Sequence, residues 1–101
     1  LRVSRFSYKD TIFILSVGGG DEDRNVSVGL IKAIKYARSK DGTVLGIVGK
    51  ADGYTAKYAD ACVVVPPLVP DRITPHSEAF QAVIWHCIVS HPFLQVNRTK
   101  W

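Results

Sequence analysis

Apolar residues along the chain fall into blocks that alternate between two periods. Residues 11–17, TIFILSV, are β-branched or aromatic with almost no polar break. Such a run predicts a strand buried on both faces, as in a parallel sheet. Residues 26–40, VSVGLIKAIKYARSK, place Val26, Leu30, Ile31, Ile34 and Ala37 at helical spacing, which predicts a helix over 25–40. Asn25 is its expected N-cap, and Asp41-Gly42 ends it. Gly29 inside that helix costs about 1 kcal/mol against Ala and is expected to mark close packing. Residues 43–48, TVLGIV, predict a second buried strand. Residues 49–60, GKADGYTAKYAD, give a turn and a short helix near 53–59, and ACVVVP gives a third strand near 61–65 that Pro66 and Pro67 stop. Residues 66–75 carry four prolines in ten positions and predict a rigid irregular loop. Thr74-Pro75 then has the form of an N-cap followed by proline at the first helical position. A last helix over 75–91 runs through HSEAFQAVIWHCIVSH and halts at Pro92.

Strand, helix, strand, helix, strand, helix predicts an α/β fold with a parallel sheet flanked by helices. Three strands make a thin sheet, and the first begins only ten residues into the chain, with no covering helix ahead of it. The expected architecture is therefore the second half of a larger α/β domain. The lack of an initial Met fits a processed or partial chain.

Composition narrows the class. At 101 residues, 47% hydrophobic and 22% charged, this is one small globular unit, not a disordered segment. No apolar run approaches the 18 or so residues of a membrane-spanning helix, and LRVSRF lacks the form of a signal peptide. Cys62 and Cys87 lie inside apolar runs and are expected to be buried small hydrophobes, unpaired, in a reducing and hence cytoplasmic setting. The net charge of +4 and pI near 9.3 raise nucleic-acid binding as a class. The basic residues are scattered, however, and Lys32, Lys35, Arg38 and Lys40 fall on the outer face of one helix, so a solvated face and no nucleic-acid partner are expected.

Two stretches could carry chemistry. The first is SVGGGDEDRNVSVG, residues 16–29. Gly18, Gly19 and Gly20 end a parallel strand just before a helix N-terminus, where backbone N–H groups can approach an anion. Neither GxGxxG nor the phosphate-loop pattern is present, and Asp21, Glu22 and Asp23 follow the glycines, so a tight turn stands beside the anion site as a reading. The second stretch is the last helix, with His76, Glu78, Gln81, His86 and His91 in apolar company. Glu78 and His86 are eight residues apart, about 12 Å along the axis and roughly 80° around it. A shared metal would need both to lean together, and a hydrogen-bonded core histidine is the alternative for His86. The nucleophile patterns of hydrolases are missing.

At this point the chain resembles the sugar isomerase (SIS) domain family, in particular its phosphoheptose isomerase-like branch. The resemblance runs from about Asp10 to about Pro92 and rests on ILSVGGG, NVSVGLIKAI, GIVGKADG, YADACVVVP and EAFQAVIWH in the family's order and spacing. It implies the C-terminal half of a flavodoxin-like three-layer sandwich, whose complete form has five parallel strands. It implies a sugar phosphate as ligand and aldose–ketose isomerisation through an enediol as activity, of the sedoheptulose 7-phosphate type. His86 matches the family's catalytic histidine, an acid/base and, in metal-dependent members, a ligand of zinc. Glu78 matches a neighbouring Gln of the same metal site, and Ser16 matches the first Ser of the phosphate turn. Phosphate and sugar are thus expected at Ser16, Gly18, Gly19, Gly20 and Asn25. Gly18 and Asp21 stand where the family has hydroxyl donors, and its other base and first phosphate turn belong to the half that this chain lacks.

Two functions compete: a phosphosugar isomerase present as a fragment, inactive alone, and a non-catalytic sugar-phosphate-binding or adaptor module. Both expect a homo-oligomer, dimer or tetramer, because a half-domain leaves a sheet edge and an apolar face uncovered.

Overall fold

The computed structural model describes residues 1–98 and 100. Along it run β1 (Thr11–Ser16), α1 (Val28–Ser39), β2 (Thr43–Val48), α2 (Tyr54–Tyr58), β3 (Ala61–Val64) and α3 (Ile73–Val89), the last entered through a 3-10 turn at Pro70–Arg72. The strands form one parallel sheet in the order β1-β2-β3, with Thr11 opposite Thr43 and Leu45 opposite Ala61. The α/β alternation is met at every element, with ends shifted by three residues or fewer.

Side chains alternate across a strand, so even and odd positions face opposite ways. On the even face, Ile14 and Val44 pack with Ile34 and Ala37 of α1 and with Phe6 from the leading segment. α2 covers the same face: a Cβ at Gly46 would lie 2.6 Å from Thr55 Cγ2. On the odd face, Val63 shares a groove with Phe80 and Ile84 of α3. The layers are thus α1 and α2, sheet, α3. Ile34, Val44, Ile47 and Val48 are fully buried, which places the core around β2. Each such side chain contributes about 1.5–3 kcal/mol.

α1 follows its period, with Ile31, Ile34 and Ala37 buried and Lys32, Lys35 and Arg38 exposed. Its start differs from expectation. Asn25 is not the N-cap; that position falls to Ser27, in the left-handed region at φ 52° with no side-chain cap bond. The cause is a bridge between Asp21 and Val26, with Asp21 N–H donating to Val26 O at 3.0 Å and Val26 N–H to Asp21 O at 2.9 Å. This closes residues 22–25 into a turn, puts Asn25 at φ 58° and pulls Val26 out of the helix. Gly29 marks no close packing: it is exposed on the outer side of α1, with nothing within 4 Å of where a Cβ would sit.

α3 starts at Ile73, with Arg72 at the N-cap. Pro75 therefore lies in the first turn, where its missing N–H has no helical partner to lose. Cys62 is only half-buried, and Cys87 is exposed rather than buried, because no described element covers the outer side of α3. Both are free thiols. β1 is not buried on both faces as expected: Phe13 and Leu15 on its odd face are exposed, as are Phe80, Val83 and Val89 on α3. No helix among the described residues is long and apolar enough to cross a membrane.

Two outcomes follow from this packing. Ile34→Ala lowers the unfolding free energy by about 2–5 kcal/mol in urea titration, the range for deleting a fully buried branched side chain; a loss under about 1 kcal/mol would contradict the core placement. Burial pushes the Cys62 thiol up, leaving less reactive thiolate, and Cys87 is open to reagent. At pH 8, a thiol reagent therefore modifies Cys87 first, with peptide mapping of the labelled chain as the check.

Candidate functional site

Parallel strands bring their carboxyl ends to one edge of the sheet, and ligands of such folds bind there. β1 leaves that edge at Ser16 and β2 at Val48. The turn after β1 is held from inside through its carbonyl groups. Gln81 Nε2 on α3 donates to Ser16 O at 2.9 Å and to Ile47 O at 3.1 Å. Gly49 N–H donates to Val17 O at 2.8 Å. Thr55 gives Gly19 O both its N–H, at 2.9 Å, and its Oγ1 hydroxyl, at 2.7 Å; Tyr54 N–H reaches Gly20 O at 2.7 Å. Gly19 and Gly20 make this possible by adopting φ 76° and 87°. Gly53 allows the loop after β2 to press against the turn, since a Cβ there would lie 2.0 Å from Gly18 O.

With the carbonyls of Ser16, Val17, Gly19 and Gly20 bonded, the turn's N–H groups have a different fate. Gly19 N–H donates to Ser16 Oγ at 3.0 Å. Gly18 and Gly20 N–H groups have no partner among the described residues. Both glycines line a pocket of about 120 Å³, together with Asp21, Arg24, Lys50 and Asp52. Beyond Gly20 and Asp52 lies a larger cleft of about 370 Å³, whose far wall is Tyr54, Lys57 and Tyr58 of α2.

The acidic residues do not leave the pocket bare of positive charge. Asp21 accepts a bond from Arg24 N–H at 3.0 Å and stands 3.6 Å from Arg24 Nε. Glu22 pairs with Lys35 of α1, and that hydrogen bond raises the Lys35 pKa. The side chains of Lys50, Lys57 and Asp52 form no ion pair among the described residues.

Among the residues expected from sequence, Gly18 and Gly20 line the pocket, and Gly19 is buried against Thr55 and Val48. Ser16 shapes the turn through its Oγ. Asn25 is exposed and lines neither cavity. Glu78 and His86 are exposed on α3, outside both cavities, and the His86 ring stacks on Trp85 with centroids 3.7 Å apart. His86 is therefore not a core histidine. A zinc site needs three or four protein ligands, and no three His, Cys, Asp or Glu side chains come together among the described residues. Zinc at Glu78 and His86 would need ligands from outside them.

Gln81 carries more of the site than its polar neighbours. Its signal in the sequence is positional: Ser77, Gln81, Ile84 and Ile88 fall on one helical stripe, and a polar residue inside an apolar stripe is a buried donor or acceptor. Thr55, Lys50 and Asp52 had no such signal.

Replacing Gln81 by Leu leaves two carbonyls short of a donor and costs about 2–3 kcal/mol, read from the urea midpoint. Gln81→Glu costs more at neutral pH, because a carboxylate then faces both carbonyls. Its folded-state pKa is raised, so that variant's stability recovers as pH falls through this value; a variant as stable as the parent at neutral pH would contradict the role given to the amide.

Comparison with protein-family models, with curated proteins and with solved structures finds no match to this chain.

Proposed function

We propose that this chain binds a sugar phosphate, with the phosphate at the turn after β1. The observation that carries this reading is the division of the turn's backbone: the carbonyls of Ser16, Val17, Gly19 and Gly20 are bonded within the fold, while Gly18 and Gly20, whose N–H groups have no partner among the described residues, line one pocket with Arg24 and Lys50. Unpaired backbone N–H groups with cations nearby are what an oxyanion requires. The carboxylates of Asp21 and Asp52 on the same wall suit hydroxyl groups, which favours a phosphorylated polyol over a bare anion. No histidine lines the pocket, so binding without catalysis is the reading favoured for this chain alone.

The exposure of His86 and Glu78 favours a second reading, phosphosugar isomerisation completed by another chain or copy. A positioned acid or base contributes about 10²–10⁴-fold in rate, and an exposed imidazole can meet a substrate held by a neighbour. Zinc, in this reading, draws its remaining ligands from that neighbour. We also propose a homo-oligomer, dimer or tetramer. The exposed apolar side chains on β1 and α3 and the unpaired outer edges of β1 and β3 support it, since parallel sheets are normally covered on both faces.

Calorimetric titration with inorganic phosphate and with sedoheptulose 7-phosphate tests the binding reading. Both are expected to bind, and Lys50→Met weakens both by about tenfold, the loss of one charged hydrogen bond; no heat and no competition by either ligand would defeat it. For the isomerase reading, solvent proton exchange into the ketose phosphate with zinc supplied disappears in His86→Gln, while the melting temperature holds. Exchange unchanged in that variant rules the reading out. Light scattering is expected to give a multiple of 11.1 kDa, and a monomer at high concentration counts against association.

A further inference from the structure

We infer that the segment after α3, Phe93 to Arg98, of a second copy of this chain seats in the apolar groove beside β3, and that two copies exchange these segments reciprocally. This inference rests on the homo-oligomer reading above and goes on to name the contact. The groove, about 440 Å³, falls within the roughly 300–1,000 Å³ of common binding sites. It is lined by Val63 and Val65, by Leu68 and Val69 of the following loop, and by Phe80 and Ile84 of α3. His76 is the one polar side chain in the lining. β3 is an edge strand, so among the described residues no further strand closes this side of the sheet. Leu68 is 81% exposed there.

The occupant is written in the same chain. Phe93 and Val96 are each 93% exposed and Leu94 is exposed beside them, and none of the three lines the groove of its own copy. Residues 92–97, PFLQVN, carry no charge, which suits a lining whose single polar side chain is His76. The turn after α3 keeps the segment from its own groove. The N–H groups of Leu94 and Gln95 both donate to His91 O, at 2.9 and 2.8 Å, just past the end of the helix. Ile84 and Phe80 lie about 10–16 Å back along the axis from that point. Area decides for two exchanged segments over one. A Val, Leu or Phe side chain removes about 60–120 Å² from water when fully buried. Three of them therefore bury about 300 Å² and cover a similar area of groove. One such contact stays well below the roughly 1,200 Å² at which specific interfaces begin, and a reciprocal pair reaches it. Reciprocal exchange is also the closed, two-fold arrangement, in which each copy gives a segment and a groove.

The experiment is a concentration series on the whole chain by sedimentation and light scattering, with the parent beside Phe93→Asp and Leu68→Asp. Both positions are exposed in a single copy, so circular dichroism of each variant at high dilution should match the parent. The parent is expected to associate as a dimer or a multiple of one. Each variant should weaken that association by about thirtyfold or more, the loss of a central apolar anchor at an interface. An equimolar mixture of the two variants keeps one intact contact, an unaltered segment against an unaltered groove. It should associate more tightly than either variant alone. Association that survives in both variants, or a mixture no tighter than its components, would overturn the segment exchange while the homo-oligomer stands. A parent that stays monomeric at high concentration would bring down both.

Discussion

One buried amide sets the geometry on which the rest depends. Apolar contacts hold α3 to the sheet, but they are non-directional and tolerate sliding. Gln81 removes that freedom by donating from one nitrogen to the last carbonyl of β1 and to Ile47 O of β2. One turn earlier, Ser77 is buried against the backbone of Gly49, where a Cβ would lie 2.1 Å from Ser77 Oγ. Two polar residues on one stripe thus fix α3 against the strand ends. The β1 turn inherits its position from them, because its first carbonyl is already committed.

The same economy explains α2. A five-residue helix has little stability of its own, since isolated helices below about 12–15 residues are marginal in water. It forms here because Tyr54 and Thr55, at its start, spend their N–H groups on Gly20 O and Gly19 O. At its other end, Arg38 of α1 donates to Tyr58 O and reaches Asp60, whose carboxylate accepts the N–H of Val44 at 2.7 Å. The turn and α2 therefore order each other. The small pocket and the larger cleft thus take their walls from the same set of hydrogen bonds.

The strands were legible because a parallel sheet demands long β-branched runs with no polar break, and TIFILSV and TVLGIV are such runs. α1 was legible through Ile31, Ile34 and Ala37. What failed was decided outside the local window. Nothing near Asn25 signals that Asp21 and Val26 bridge, and that bridge moves the helix start. Gly29 reads as a packing residue only if it faces inward, and its outward angle depends on where the helix begins. The site divides in the same way. The glycine turn stood out by composition, but the residues that hold it sit 36 and 65 positions away, at Thr55 and Gln81, and a spacing of that length carries no pattern. Glu78 and His86 lie on α3, the helix that the period predicts; their exposure depends on what faces α3, which no period encodes.

Three acidic residues beside the glycine turn present a conflict for the proposed anion site, and the backbone decides how they are held. The Glu22–Lys35 pair is solvent-exposed on both sides, and such pairs contribute little and weaken with salt. It cannot be what holds the 21–26 loop in place. The loop is fixed instead by the two main-chain bonds between Asp21 and Val26 and by the carbonyl of Gly20, which are insensitive to ionic strength. The charges are therefore free to act on selection. Arg24 and Lys50 line the pocket at the glycines, while Asp23 and Asp52 line the cleft beyond. In the proposed phosphate reading, the acidity next to the turn would work against polyanions along this edge.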